Sequence, residues 1–270
     1  MPKLSLSQAW DEARAILAHD GRLFGAVALA LVVLPQTIIG LVAPMSAGGG
    51  EPTPLIWALL AITILFGIAT QISLNRLAIG PSTTVASAIG RGFARTPALL
   101  GAFVILLVGL FVVLIPLVII LGTLGLIQAP GIGHEAPASL LLLIVLVAAF
   151  SYAVFQLTIP VAAVETGGSV HLMTRSWHLA RGSYWRLLAF VCLLLVGLMI
   201  VLLFGQFALG SIITLALGRP DAFSLAALII SLVVAIIQAT FTVIFAVMLA
   251  RLYVQLAGGE AQPSVPSSGI

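Results

Sequence analysis

The sequence predicts an all-α, polytopic transmembrane bundle of about six spans with amphipathic helices along its cytoplasmic face. Three observations carry that expectation. Only 7% of the 270 residues are charged and 61% are hydrophobic, whereas a soluble domain carries about 25% charged residues. So few charges cannot cover a water-facing surface, so lipid must be the solvent for much of the chain. The apolar residues also fall into runs of the length that crosses a bilayer. Finally, the basic residues are confined to alternate connections.

A span needs about 20 apolar residues. The runs that qualify are Leu23–Val42, Leu55–Ile79, Ala98–Ile120, Leu140–Val164, Leu187–Leu209 and Leu225–Val254. The Gly- and Pro-rich stretches Ala43–Pro54, Thr123–Ala138 and Gly210–Phe223 read as short loops between them. Residues 1–257 form one integral membrane domain, and 258–270 read as a flexible C-terminal tail. The first span is full length and follows an amphipathic segment, which favours a retained helix over a cleaved signal peptide.

Orientation follows from counting basic residues. One side would hold Lys3, Arg14, Arg22, Arg76, Arg91, Arg95, Arg175, Arg181, Arg186 and Arg251, and the other only Arg219. Both termini are then cytoplasmic, which requires an even number of spans, and a bacterial inner membrane is the expected location.

The segments before the odd-numbered spans resemble one another. Each begins near a serine (Ser5, Ser82, Ser169), runs for a few helical turns, and meets a Gly or Pro break near an arginine. Helical spacing groups Leu6, Trp10, Ala13 and Leu17 on one face, then Val85, Ile89 and Phe93, then Met173, Trp177 and Ala180. The opposite faces carry charge. These read as interfacial amphipathic helices, and Ser5 with Gln8 reads as a capping box. The chain parses as a threefold internal repeat of amphipathic helix, span, loop and span. Transporters use such repeats, and a duplicated anchor would look the same.

Polar residues within spans are the usual sign of function. Here they are Gln36, Gln71, Asn75, Gln156, Gln206 and Gln238, with Thr37, Ser73, Thr158, Thr240 and Thr242 nearby. They either line a polar pocket or bond between helices as packing glue. No span has a central Asp, Glu, Lys or Arg, which argues against an ion-coupled pump. Glu165 sits where the fourth span ends, before Gly167-Gly168, with Arg175 and Arg181 on the next helix. A turn at the glycines would let Glu165 clamp that helix; otherwise it is a solvated helix-end charge. Trp177, Tyr184 and Trp185 fit an interfacial aromatic belt, with arginines beside them for lipid phosphates.

Other chemistry is thin. His19, His134, His171 and His178 lack paired zinc spacing, and neither a phosphate-binding Gly-rich loop nor a nucleophile elbow occurs. The single cysteine, Cys192, excludes an internal disulfide and reads as a buried small hydrophobe. No cofactor or metal is expected, and the charges are too few for a nucleic-acid surface.

The stretch from Pro160 through Glu165 and Gly167, then Arg175-Ser176-Trp177 and Gly182 to Trp185-Arg186, resembles the glycerophosphoryl diester phosphodiesterase membrane-domain family and related six-span bacterial proteins. Arg251-Leu-Tyr253 is similar to that family's last span end. The resemblance implies a six-span membrane region in which Glu165, Arg175, Ser176, Trp177, Arg181, Gly182, Trp185 and Arg186 form a structural or headgroup-binding motif. It implies no phosphodiesterase activity, because this chain has no room for the barrel that carries it. The first two units lack an acid at the position of Glu165. The functional expectation is a non-enzymatic membrane protein that organises lipids, a membrane partner or its own oligomer. The alternative is a permease for a small neutral or amphipathic solute.

Overall fold

The computed structural model describes residues 5–42, 53–80, 84–124, 144, 147–148, 151–152 and 155–260, with side chains at 206, 209, 259 and 260 left aside. They are helical almost throughout. Helices α1 (Leu6–Ala28) and α2 (Leu34–Val42) are joined by a π-helical turn, Leu29–Val33. They are followed by α3 (Pro54–Ile79), α4 (Val85–Thr123), α5 (Thr158–Val164), α6 (Ser169–Ala180), α7 (Tyr184–Leu217) and α8 (Leu225–Glu260).

Among the described residues, five helices are long and apolar enough to cross a membrane: Leu6–Val42, Pro54–Ile79, Val85–Thr123, Tyr184–Leu217 and Leu225–Gly258. The expected fourth span, 140–164, lies largely outside the described residues, as do the loops 43–52 and 125–138. Its described residues 144, 147–148, 151–152 and 155–156 are helical, and its end, α5, is buried along almost its whole length.

The expected boundaries shift in a consistent direction. The segment before the first span is continuous with it, and α1 runs through Gly21 without a break. Likewise α4 runs for 39 residues through Pro97 and Pro116. At 1.5 Å per residue that is roughly 58 Å, about twice the hydrocarbon core. In an apolar solvent each broken backbone bond is left unsatisfied, so continuing the helix costs less than breaking it. Only the third segment, α6, is a separate helix, ending at a turn over residues 181–183. Helix α7 extends to Leu217, so half of the expected loop from Gly210 is helical. Helix α8 continues to Glu260, into the expected tail.

The three segments share one pattern of burial. Trp10, Phe93 and Trp177, on the apolar faces expected to lie in the headgroup layer, are 49%, 40% and 43% exposed. The residue just before each is the buried one: Ala9, Gly92 and Ser176. Four residues further on, Ala13, Thr96 and Ala180 are buried too. Small residues every fourth position allow helices to approach closely, and close packing is what holds helices together where the solvent is itself apolar.

Helices α3 and α8 are central. Helix α8 packs against α1, α2, α3, α5 and α7, and α3 packs against α4, α5 and α8. Helices α3 and α4 approach closely, with Gly92 lying on Ala69 and Ser73. Gly101 packs on Ser169 of α6, whereas Gly109, the other small residue considered for packing, has no neighbour on that side. Helix α7 is peripheral, and Cys192 on it is exposed rather than buried.

Burial is uneven along α3. From Ala69 to Asn75 nearly every side chain is buried, whereas Pro54 to Leu65 are mostly exposed or half-buried. One end of the bundle is therefore a packed core, built around Phe24, Ile72, Leu74, Leu157, Leu172 and Leu249. The other end is looser, with its apolar residues turned outward.

Candidate functional site

The packed end of the bundle carries the arginines. Helix α5 ends at Glu165, whose backbone is extended (φ −83°, ψ 152°), and the chain turns over the glycines into α6. The last carbonyls of a helix have no partner within it. Here α4 supplies partners. Arg91 donates from Nε to Ala163 O at 3.0 Å and from Nη2 to Val164 O at 2.9 Å. One turn on, Arg95 donates to Gly167 O and to Glu165 O, both at 3.0 Å. Arg251 of α8 similarly donates to Ala78 O at the end of α3. The positive guanidinium also suits the negative end of each helix dipole.

The Glu165 carboxylate faces the other way. Arg175 of α6 approaches its Oε1 at 3.1 Å, and the buried Tyr253 hydroxyl of α8 donates to the same oxygen at 3.1 Å. His171 lies 3.9 Å from Oε2. Glu165 thus ties α5, α6 and α8 together at one carboxylate. Replacing it with alanine should lower stability by about 2 kcal/mol, since both lost bonds involve a charge or a buried donor. A melt of the detergent-purified protein checks this, and a Glu165→Ala/Arg175→Ala cycle should give a coupling of about 1 kcal/mol.

The remaining motif residues divide by exposure. Ser176 is buried and donates to Leu172 O within its own helix, so it does not face headgroups. Trp177, Arg181, Gly182, Trp185 and Arg186 are on the surface, Trp185 most of all at 75% exposure. The Ser5 hydroxyl caps α1 by accepting from Gln8 N. The reciprocal half of a capping box does not form. Gln8 bonds Glu12 instead, and the Ser5 N–H donates to Gln255 Oε1 of α8.

A second constellation lies deeper in the bundle. A half-open cavity of about 500 Å³ is bounded by the π-helical turn and α2, α3, α4, α5 and α8. Gln36, Thr63, Gln71, Gln238 and Thr242 are the polar residues of a wall otherwise formed by Leu, Ile, Val, Phe and one Gly. A neighbouring cavity of about 350 Å³ shares Gln71, Phe155, Ile159, Gln238 and Thr242, and adds Gln156 and Tyr152. Among the described residues the wall contains no Asp, Glu, Lys or Arg.

The amides of this wall are of two kinds. Gln36 and Gln238 pair with each other, Nε2 to Oε1 at 3.0 Å, tying α2 to α8. That pair is packing glue. Among the described residues, Gln71 Oε1 and Gln156 Oε1 are buried and have no hydrogen-bond partner. The same holds for Asn75 Oδ1, one turn from Gln71, while Asn75 Nδ2 donates to Gln71 O. The buried hydroxyls of Thr70 and Ser73 are satisfied within α3, donating to Phe66 O and Ala69 O. Gln206 is on α7, and its side chain lies outside the described residues.

The π-helical turn deforms the wall. Pro35 has no N–H to give to Leu31 O, and the Leu34 N–H reaches back five residues to Leu29 O. The helix widens there, and Leu31 and Val32 line the cavity. Such π turns occur disproportionately at functional sites. The only sign of it in the sequence is the proline.

No curated protein and no solved structure matches the chain. A family profile does, and it spans α1 through most of α8: with residues 4–256 matched, the chain belongs to the family described as a domain of unknown function, DUF7847.

Proposed function

We propose that this is a multi-pass protein of the bacterial cytoplasmic membrane, with both ends cytoplasmic, that binds a small neutral or amphipathic solute within the bundle as a permease or carrier. The observation behind it is the amide-lined cavity with two buried, unpartnered carbonyl oxygens, Gln71 Oε1 and Gln156 Oε1. Burying such a group without a partner costs about 1–3 kcal/mol. Asn75 Oδ1, Arg251 Nε and Gln255 Nε2 are likewise buried without a partner, but of these residues only Gln71 and Gln156 line the cavities. The cavity volume falls in the range of small-molecule sites, about 300–1,000 Å³. Binding and release need no covalent chemistry, and the proposal is of a non-enzymatic protein.

The test fills the cavity. Gly67 lines it, and a Cβ added there meets nothing within 4 Å. Gly67→Phe should therefore fold normally and exclude the ligand. Mass spectrometry of molecules that co-purify with each protein should show one species held by the parent and depleted about tenfold or more in the variant, the loss of roughly 1.4 kcal/mol of affinity. If both proteins carry the same molecules in the same amounts, the cavity reading fails.

A second reading keeps the surface in view. Trp10, Phe93, Trp177 and Trp185 are exposed near the arginine-rich end, with Arg14 and Arg181 also exposed. That combination suits seating in an anionic headgroup layer, a role in lipid organisation compatible with cavity binding. The one-residue step from buried small residue to exposed aromatic, present in all three segments, supports the threefold repeat.

A further inference from the structure

Resting on the cavity reading, we infer that the ligand is an uncharged carbonyl compound with an apolar body, held at its carbonyl oxygen by amide N–H groups. The smaller cavity, of about 350 Å³, has three glutamines in its wall, Gln71, Gln156 and Gln238. All three amide oxygens are out of a ligand's reach. Gln71 Oε1 and Gln156 Oε1 are enclosed by protein, and Gln238 Oε1 already accepts from Gln36. The three Nε2 groups are not enclosed, and among the described residues none of them makes a hydrogen bond. This orientation is the favourable one. Turned over, Gln71 and Gln156 would each enclose two unmet N–H donors instead of one oxygen, and buried N–H groups without partners are the rarer case. Gln238 turned over would set its nitrogen against that of Gln36.

A wall that donates selects a ligand that accepts. The Tyr152 and Thr242 hydroxyls beside the amides can give or accept, so they do not alter that balance. Charge narrows the acceptor. Among the described residues the wall has no Lys or Arg to neutralise a carboxylate or phosphate, and an unpaired charge inside a bilayer is strongly disfavoured. A carbonyl oxygen accepts through two lone pairs without carrying charge. The rest of the wall specifies the body. Leu194, Leu195, Leu198, Phe241 and Phe245 offer it only apolar surface. A longer chain continues into the cavity of about 500 Å³, since the two share Gln71, Phe155, Ile159, Gln238 and Thr242.

The experiment uses the full chain in dodecyl maltoside, a detergent without a carbonyl, photolabelled with a diazirine-bearing methyl hexadecanoate. Unlabelled methyl hexadecanoate, hexadecane and hexadecanoate compete. Labelling should fall around Gln156, on α7 around Leu195 and on α8 around Gln238, with the ester competing about tenfold better than hexadecane, the worth of one buried hydrogen bond. Hexadecanoate should compete no better than hexadecane. The infrared carbonyl band of bound, carbon-13-labelled ester should lie below its frequency in hexadecane, because a hydrogen bond at the oxygen weakens the C=O bond. Gln71→Leu/Gln156→Leu should remove most of the ester's advantage and melt no lower than the parent, because the enclosed, unmet oxygens go with the amides. If that variant does not accumulate, the infrared band of the parent complex decides. Hexadecane competing as well as the ester, or a bound ester with the band of the free one, would overturn carbonyl recognition and leave the cavity reading standing. An ester advantage that survives the double variant would overturn the role of these amides. Stronger competition by hexadecanoate would overturn the uncharged class, and labelling elsewhere would overturn the site. The cavity reading itself falls only if Gly67→Phe leaves the co-purifying molecules unchanged.

Discussion

Arg91→Ala/Arg95→Ala should lower the stability of the protein by about 4 kcal/mol and free the end of α5. The two side chains make four hydrogen bonds, all to backbone carbonyls between Ala163 and Gly167. A hydrogen bond to a charged donor is worth about 1.5–3 kcal/mol, which would sum to more than 4. Both arginines are half-buried, so water recovers part of the loss. The carbonyls are not all recovered, because Ala163 is fully buried. Arg91→Lys separates charge from geometry. Lysine keeps the charge on a single nitrogen and cannot form the planar fork, so it should retain less than half of the Arg91 contribution. Thermal unfolding in detergent gives the ranking: parent above Arg91→Lys, above Arg91→Ala, above the double variant. A double variant that melts with the parent would show that α5 is held by its apolar contacts alone.

The arginine contacts mark where sequence reading stops. The sequence presents Arg91 and Arg95 as counted charges on one side of a membrane. Their partners are backbone carbonyls, which every residue has, so no pattern of side chains announces them. Glu165 with Arg175 was legible because an acid and a base flank a glycine turn in a nearly uncharged chain. The glutamines were legible as polar residues in apolar runs, but which of them pair depended on helix rotation. Gln36 and Gln238 meet although they stand 202 residues apart, whereas Gln71 and Gln156 do not pair.

Rotation is also what hydrophobic spacing leaves open, since it groups Trp10, Phe93 and Trp177 on apolar faces without saying which face packs on the bundle. Putting the most apolar stripe inward is sound when water is outside. Where lipid is outside, Trp10, Phe93 and Trp177 gain little by turning inward. The side that packs most closely turns inward instead, carried by Ala9, Gly92 and Ser176. Five of the six span runs lie within the five long apolar helices, because length and charge exclusion do not depend on rotation. The helix ends differ from the sequence reading, because Gly21 and Pro97 break helices in water more readily than in an apolar solvent.

The same logic gives opposite signs to two glycines on one turn of α4. A Cβ at Gly92 would lie 2.5 Å from the carbonyl oxygen of Ala69 and would also strike the Ser73 hydroxyl. The Ala69 oxygen is backbone and already accepts from Ser73 Oγ at 2.7 Å, so it cannot move aside without dragging α3 with it. A Cβ at Gly90 meets nothing within 4 Å. Removing a glycine from a helix interior is favourable by about 0.5–1 kcal/mol when space allows. Gly90→Ala should therefore be neutral or slightly stabilising. Gly92→Ala gains the same backbone term and loses more to overpacking, commonly about 1–3 kcal/mol and here at the upper end because the obstacle is main chain. The net expectation is a loss of about 2 kcal/mol for Gly92→Ala, and failure to accumulate in the membrane for Gly92→Leu. Melting temperatures of the two alanine variants, measured side by side, give the comparison. If Gly92→Ala melts with Gly90→Ala, α3 and α4 are not in contact at Ala69 and Ser73. The packed end of the bundle, and with it the wall that carries Gln71, would then have to be built differently.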